Sequence, residues 1–132
     1  GGDGSASLSA SAAATAAGTD GDEAVVVLRQ IRVDIPRTSQ GGLRIFCHAR
    51  MHRLMERVLY IWSVRHPASG YVQGINDLLT PFLVVFLGAE VKQPLEELDF
   101  DAVPDAVLDS VEAASYWCLT KMLSDIQDHY TA

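Results

Sequence analysis

Between Leu43 and Arg65, the residues Cys47, Met51, Leu54, Met55, Val58 and Trp62 recur with the 3.6-residue period of an α-helix. Wound as a helix, they form one apolar stripe, while Arg50, Arg53 and Arg57 fall on another face. A helix with such a stripe must bury it, so the partners have to come from the rest of the chain. No segment alternates apolar and polar residues with period 2, so the partners are helices too. The fold class is all-α, with no β-sheet.

Proline and glycine set the limits of those helices. Pro36 biases Ile35 away from the α region, which predicts a first helix over Glu23 to Val33, ending near Asp34. Arg37 then falls on a loop, Arg37-Thr38-Ser39-Gln40-Gly41-Gly42. After the long helix, His66-Pro67-Ala68-Ser69-Gly70 reads as a turn. A third helix is expected over Tyr71 to Leu87, kinked at Pro81. Its polar residues Gln73, Asn76, Asp77 and Thr80 share one face, and Gly74, on the other side, lets a second backbone approach closely. Gly88 to Val103 reads as an acidic loop. A last helix starts near Pro104, breaks near Asp109-Ser110 and reaches about His129. Its inward face is Val111, Ser115, Cys118, Leu119, Met122, Leu123 and Ile126, and Trp62 and Trp117 read as core. Residues 1–23 are almost entirely Gly, Ala, Ser and Thr, and cannot build a core. They read as a disordered tail ahead of a domain over residues 24–132.

Composition narrows the function classes. A formal net charge of −7 argues against nonspecific nucleic-acid binding. Eight of the ten Lys and Arg lie between Arg29 and Arg65, whereas ten Asp and Glu follow from Glu90 onward against Lys92 and Lys121. That asymmetry either steers a partner or forms two solvated faces. Cys47 and Cys118 sit in apolar, helix-like surroundings with no CxxC, as two buried free thiols of a reducing compartment do. The longest apolar run, Leu78 to Leu87, contains Thr80 and Pro81 and is too short to span a bilayer. With no segment resembling a signal peptide, the expectation is a soluble, cytoplasmic protein. His48 and His52 stand one helical turn apart, as two metal ligands would. No third ligand is spaced to join them, so no metal is assigned.

Two short motifs carry the chemistry. Ile31-x-x-Asp34-x-x-Arg37 resembles the first signature of the TBC domain, the catalytic domain of Rab GTPase-activating proteins, and Tyr71-x-Gln73-Gly74 resembles the second. Their order and separation are similar to that family. So is a third stretch running from Tyr116-Trp117-Cys118 to Asp125-Ile126-Gln127-Asp128-His129-Tyr130-Thr131. The likeness covers roughly Val27 to Thr131. Low-complexity sequence stands before Val27, and the family's C-terminal half, which completes the groove for the GTPase, does not follow within these 132 residues. The resemblance therefore implies a partial TBC domain, its helical N-terminal subdomain.

The resemblance also implies a mechanism. Arg37 would be an arginine finger and Gln73 a glutamine finger, both supplied in trans to a GTP-bound Rab. A guanidinium neutralises charge on the transferring phosphoryl group, and an amide orients the attacking water. Lysine would replace Arg37 poorly because it lacks the planar multi-donor fork. Asp34 is expected to hold Arg37 through a charge-assisted hydrogen bond. Tyr71 is expected to pack, with its hydroxyl free to bridge to the Arg37 loop, and Asn76 and Asp77 to hold that loop, touch the partner or bond neighbouring backbone. No cofactor belongs to this chain, since Mg²⁺ and GTP belong to the GTPase. Vesicle trafficking, with peripheral recruitment to Golgi or endosomal membranes, is the setting the family implies. The alternative is a catalytically silent helical adaptor that binds small GTPases.

Overall fold

Among the residues described by the structure, a computed structural model covering 19–41 and 43–131, four α-helices and no strands are found. Helix α1 spans Thr19–Asp34, α2 Ala49–Arg65, α3 Ile75–Val91 and α4 Asp105–Thr131. Of the tail predicted over residues 1–23, residues 1–18 lie outside the described residues, and residues 19–23 wind as the start of α1, four residues before the expected Glu23.

Helix α3 repeats Ile75, Leu79, Leu83 and Leu87, one residue every turn, and all four are buried. That seam packs on α4, whose Leu108, Val111, Ser115, Leu119 and Leu123 are also buried. Helix α2 lies between this pair and α1, with Met51, Leu54, Met55, Val58, Leu59 and Trp62 inside. Burying such side chains stabilises by about 1.5–3 kcal/mol each before conformational entropy is set against it.

Helix α2 is shorter than its apolar pattern implies. Arg44–Cys47 forms a 3₁₀ turn, and His48 at φ −78°, ψ 136° is extended, so the helix proper begins at Ala49. The break shifts the register: Ile45 and Phe46 turn inward and Cys47, expected on the buried stripe, is exposed. Cys118 is only partly buried, so neither thiol is sealed in the core.

Helix α3 runs through Gly88 to Val91 and closes on Lys92, which adopts a left-handed φ of 55°. Within it Pro81 cannot donate to the carbonyl of Asp77, and the Thr80 hydroxyl bonds that carbonyl instead, at 3.0 Å. The expected acidic loop is thus shorter and carries two 3₁₀ turns, Leu95–Glu97 and Phe100–Ala102. Its Phe100 is fully buried.

Helix α4 is unbroken at Asp109-Ser110, since both face solvent and leave the apolar period intact. Trp117, expected in the core, is 62% exposed, and Ile126 is 40% exposed. At helical spacing Trp117 falls on the face opposite the Leu119 and Leu123 seam, whereas Ile126 continues the seam beyond Leu123. With Phe82, Cys118 and Met122 they line an open apolar groove.

Candidate functional site

Pro36 does not leave a loop behind α1. Ile35–Gly41 winds as a 3₁₀ helix, and the buried Thr38 hydroxyl donates to the carbonyl of Ile35, closing the turn. Arg37 therefore stands on an ordered turn and not on a free loop. Its side chain is exposed, and among the described residues no group accepts a hydrogen bond from its guanidinium or pairs with it.

Gln73 is likewise not on a helix. Gly74 has φ +102°, outside the right-handed helical region, so α3 begins only at Ile75. Gly74 is required for that dihedral and not for close packing, because a Cβ there would meet nothing within 4 Å. The amide of Ile75 reaches the carbonyl of Val72 at 3.1 Å, and that of Asp77 the carbonyl of Gly74 at 3.0 Å. Gln73 sits exposed on the resulting turn, at the N-terminal mouth of α3.

The two turns meet. Arg37 and Gln73 line one cleft of about 730 Å³, together with Asp34, Thr38, Gly74, Asn76, Asp77 and Thr80. Leu43, Phe46, Pro81, Val84 and Val85 supply its apolar wall. A cationic fork and a neutral amide thus share one opening with an apolar wall on one side.

Asp34 is 2% exposed, and its carboxylate does not bond Arg37. One oxygen accepts from Gln30 Nε2 at 2.8 Å and the other from the Tyr71 hydroxyl at 2.6 Å. The Asp34 backbone carbonyl, one of the carbonyls a helix end leaves unpaired, accepts from Asn76 Nδ2 at 3.2 Å. The expected Asp34–Arg37 bond is therefore replaced by a network of neutral donors joining α1 to the Gln73 turn. Desolvation, then the bond to Asp34, pushes the Tyr71 phenol well above its ordinary value, so it remains a donor. Asn76 is buried in this contact, while Asp77 is exposed on the cleft. Sequence reasoning passed over Gln30, Thr38 and Phe46. Gln30 was signalled by its i, i+4 relation to Asp34. The other two had no signal apart from the fold.

His52 Nε2 bonds the carbonyl of Phe46, and the His48 ring lies 5.6 Å from that of Phe100. No helix among the described residues is long and apolar enough to cross a membrane.

This arrangement has relatives. Human TBC1 domain family member 22B is 50% identical over 103 residues, 78% of this chain and 20% of its own length. GTPase-activating protein gyp1 of Schizosaccharomyces pombe is 45% identical over 106 residues, covering 79% of this chain and 20% of that protein. The chain thus spans about a fifth of these relatives' length. The crystal structure of the Ypt/Rab-GAP domain of Gyp1p superimposes with a TM-score of 0.70 at 39% identity, over 80% of this chain and 34% of that one. The model of the Rab-GTPase-TBC domain matches residues 18–132, nearly the whole length, and the chain belongs to that family.

Proposed function

We propose that this chain is the finger-bearing part of a GTPase-activating domain for Rab-type small GTPases. The observation that carries the reading is that Arg37 and Gln73, from separate turns, open unobstructed into one cleft. The names of the gyp1 relative and of the Gyp1p structure support it. The protein is an activator, not an enzyme with a substrate of its own. In trans, the Arg37 guanidinium neutralises charge on the transferring phosphoryl group of a GTP-bound Rab, and the Gln73 amide orients the attacking water. Mg²⁺ and GTP are held by the GTPase. The apolar wall beside the fingers takes the GTPase surface and keeps bulk water from the reaction. A cytoplasmic protein acting in vesicle trafficking, peripherally recruited to Golgi or endosomal membranes, fits this activity.

An arginine finger is worth about 10³ to 10⁵ in rate, roughly 4–7 kcal/mol. Single-turnover GTP hydrolysis by a panel of Rab proteins, with the full-length protein and its Arg37→Ala and Gln73→Ala variants, tests the reading. We expect strong acceleration of at least one Rab, falling about 10³-fold in the arginine variant and steeply in the glutamine variant. Binding to GTP-loaded Rab with unchanged turnover would replace the activator by the adaptor.

A further inference from the structure

Resting on that reading, we propose that Tyr71 is a positioning residue that keeps the Asp34 carboxylate from capturing Arg37. Asp34 is the last residue of α1, and Arg37 follows three residues later in a 3₁₀ turn. The junction between the two helices leaves both residues at one end of α1. Asp34 and Arg37 accordingly line the same cleft. A carboxylate and a guanidinium so placed ordinarily pair, and an Arg37 held by Asp34 would have to break that pair before meeting a phosphate.

Here the pair does not form, and each carboxylate oxygen is instead bonded to a neutral donor. Gln30 Nε2 fills one at 2.8 Å and the Tyr71 hydroxyl fills the other at 2.6 Å. Both donors are neutral, so they satisfy the buried carboxylate without drawing on the chain's cations. The Asn76 bond to the Asp34 carbonyl fixes the same helix end to the Gln73 side of the cleft. The outcome is a finger whose foot is ordered and whose charge is unspent. The phenol pKa, raised by burial and by Asp34, keeps the hydroxyl donating across the physiological range.

The charge relation gives this role a signature that loss of packing does not share. Tyr71→Phe frees one oxygen of Asp34 to pair with Arg37. Adding Asp34→Asn removes the charge that would attract it. The experiment is stimulated hydrolysis by a Rab that the full-length wild type accelerates, with kcat and KM resolved. The variants are Tyr71→Phe, Asp34→Asn, the double variant, and Tyr71→Phe in an Arg37→Ala background, with thermal melts for all. Tyr71→Phe is expected to lower kcat about tenfold with KM little changed. The double variant should recover most of that loss, and in the Arg37→Ala background Tyr71→Phe should have no further effect. A fully active Tyr71→Phe overturns the proposal. So does a double variant worse than either single, with melting temperatures falling in step, which is the pattern of a merely structural bond. Wild type that accelerates no Rab removes the activator reading itself, and is recognised before any variant is compared.

Discussion

At Tyr71 a half-buried phenol bonds a carboxylate that has almost no contact with water. Burial and the neighbouring charge both favour the neutral phenol, so its folded pKa lies above the unfolded value of 10.0. The sign follows from linkage. Stability contributed by Tyr71 is present in full below about pH 10 and is lost as the pH rises toward the raised folded value. The stability difference between wild type and Tyr71→Phe should therefore be constant near neutrality and shrink above about pH 10. Urea midpoints of the two proteins across that range measure it. A difference that grew with pH would contradict the assigned hydrogen bond. The same residue shows how partner identity escapes a sequence. Spacing places Asp34 three residues from Arg37 and predicts an ion pair, but the competing donor is Tyr71, far off in sequence and adjacent only in the fold.

Among the elements, the turn before α3 is the most constrained. Gly74 at φ +102° ends the Gln73 turn and lets α3 start at Ile75. There is open space around the missing Cβ, so the effect of a side chain is conformational only. Gly74→Ala should cost about 1–2 kcal/mol through the unfavourable dihedral. It should also redirect Gln73, lowering stimulated hydrolysis more than Rab binding. Chemical denaturation and the hydrolysis assay check the two halves separately. An alanine variant of full stability and activity would show that the turn does not need its left-handed glycine. The expected helix from Tyr71 failed for the same reason: polar residues at helical spacing extend back to Gln73, but one backbone dihedral removes it from the helix. At His48 an extended residue likewise splits a continuous apolar pattern and turns Cys47 outward.

Over the whole molecule, the uneven charge distribution is in part an internal fastening. Arg32 meets Glu56 at 2.9 Å between α1 and α2, within the basic half, and two further pairs cross to the acidic half. Arg57 grips Glu112 at 2.7 Å between α2 and α4, and Glu112 holds the arginine above its ordinary pKa through that bond. Arg50 bonds Asp105 at 2.6 Å and the carbonyl of Phe100 at 2.8 Å, docking the segment ahead of α4 on α2. The two alternatives drawn from composition, steering a partner and two solvated faces, both omitted that the faces meet. Because the Arg57 side chain is 52% exposed, solvent screens its pair, and Arg57→Ala should cost only about 0.5–1 kcal/mol, less at high salt. Denaturation midpoints at low and high salt measure this, and a large salt-independent loss would point to packing by the aliphatic stem instead.

What the sequence determined by itself is the class, the number and approximate extent of the helices, the family signatures, and Arg37 and Gln73 as the residues of interest. These follow from local rules: apolar period, proline and glycine punctuation, and motif spacing, all of which act within a few turns of chain. Tertiary structure alone decided that Phe100 is core and Trp117 is not, that Asp34 answers to Tyr71 and not to Arg37, and that basic and acidic halves pair. Those outcomes depend on which surfaces compete for the same partner once distant segments are brought together. Burial and hydrogen bonding are settled by that competition, which no stretch of neighbouring residues encodes.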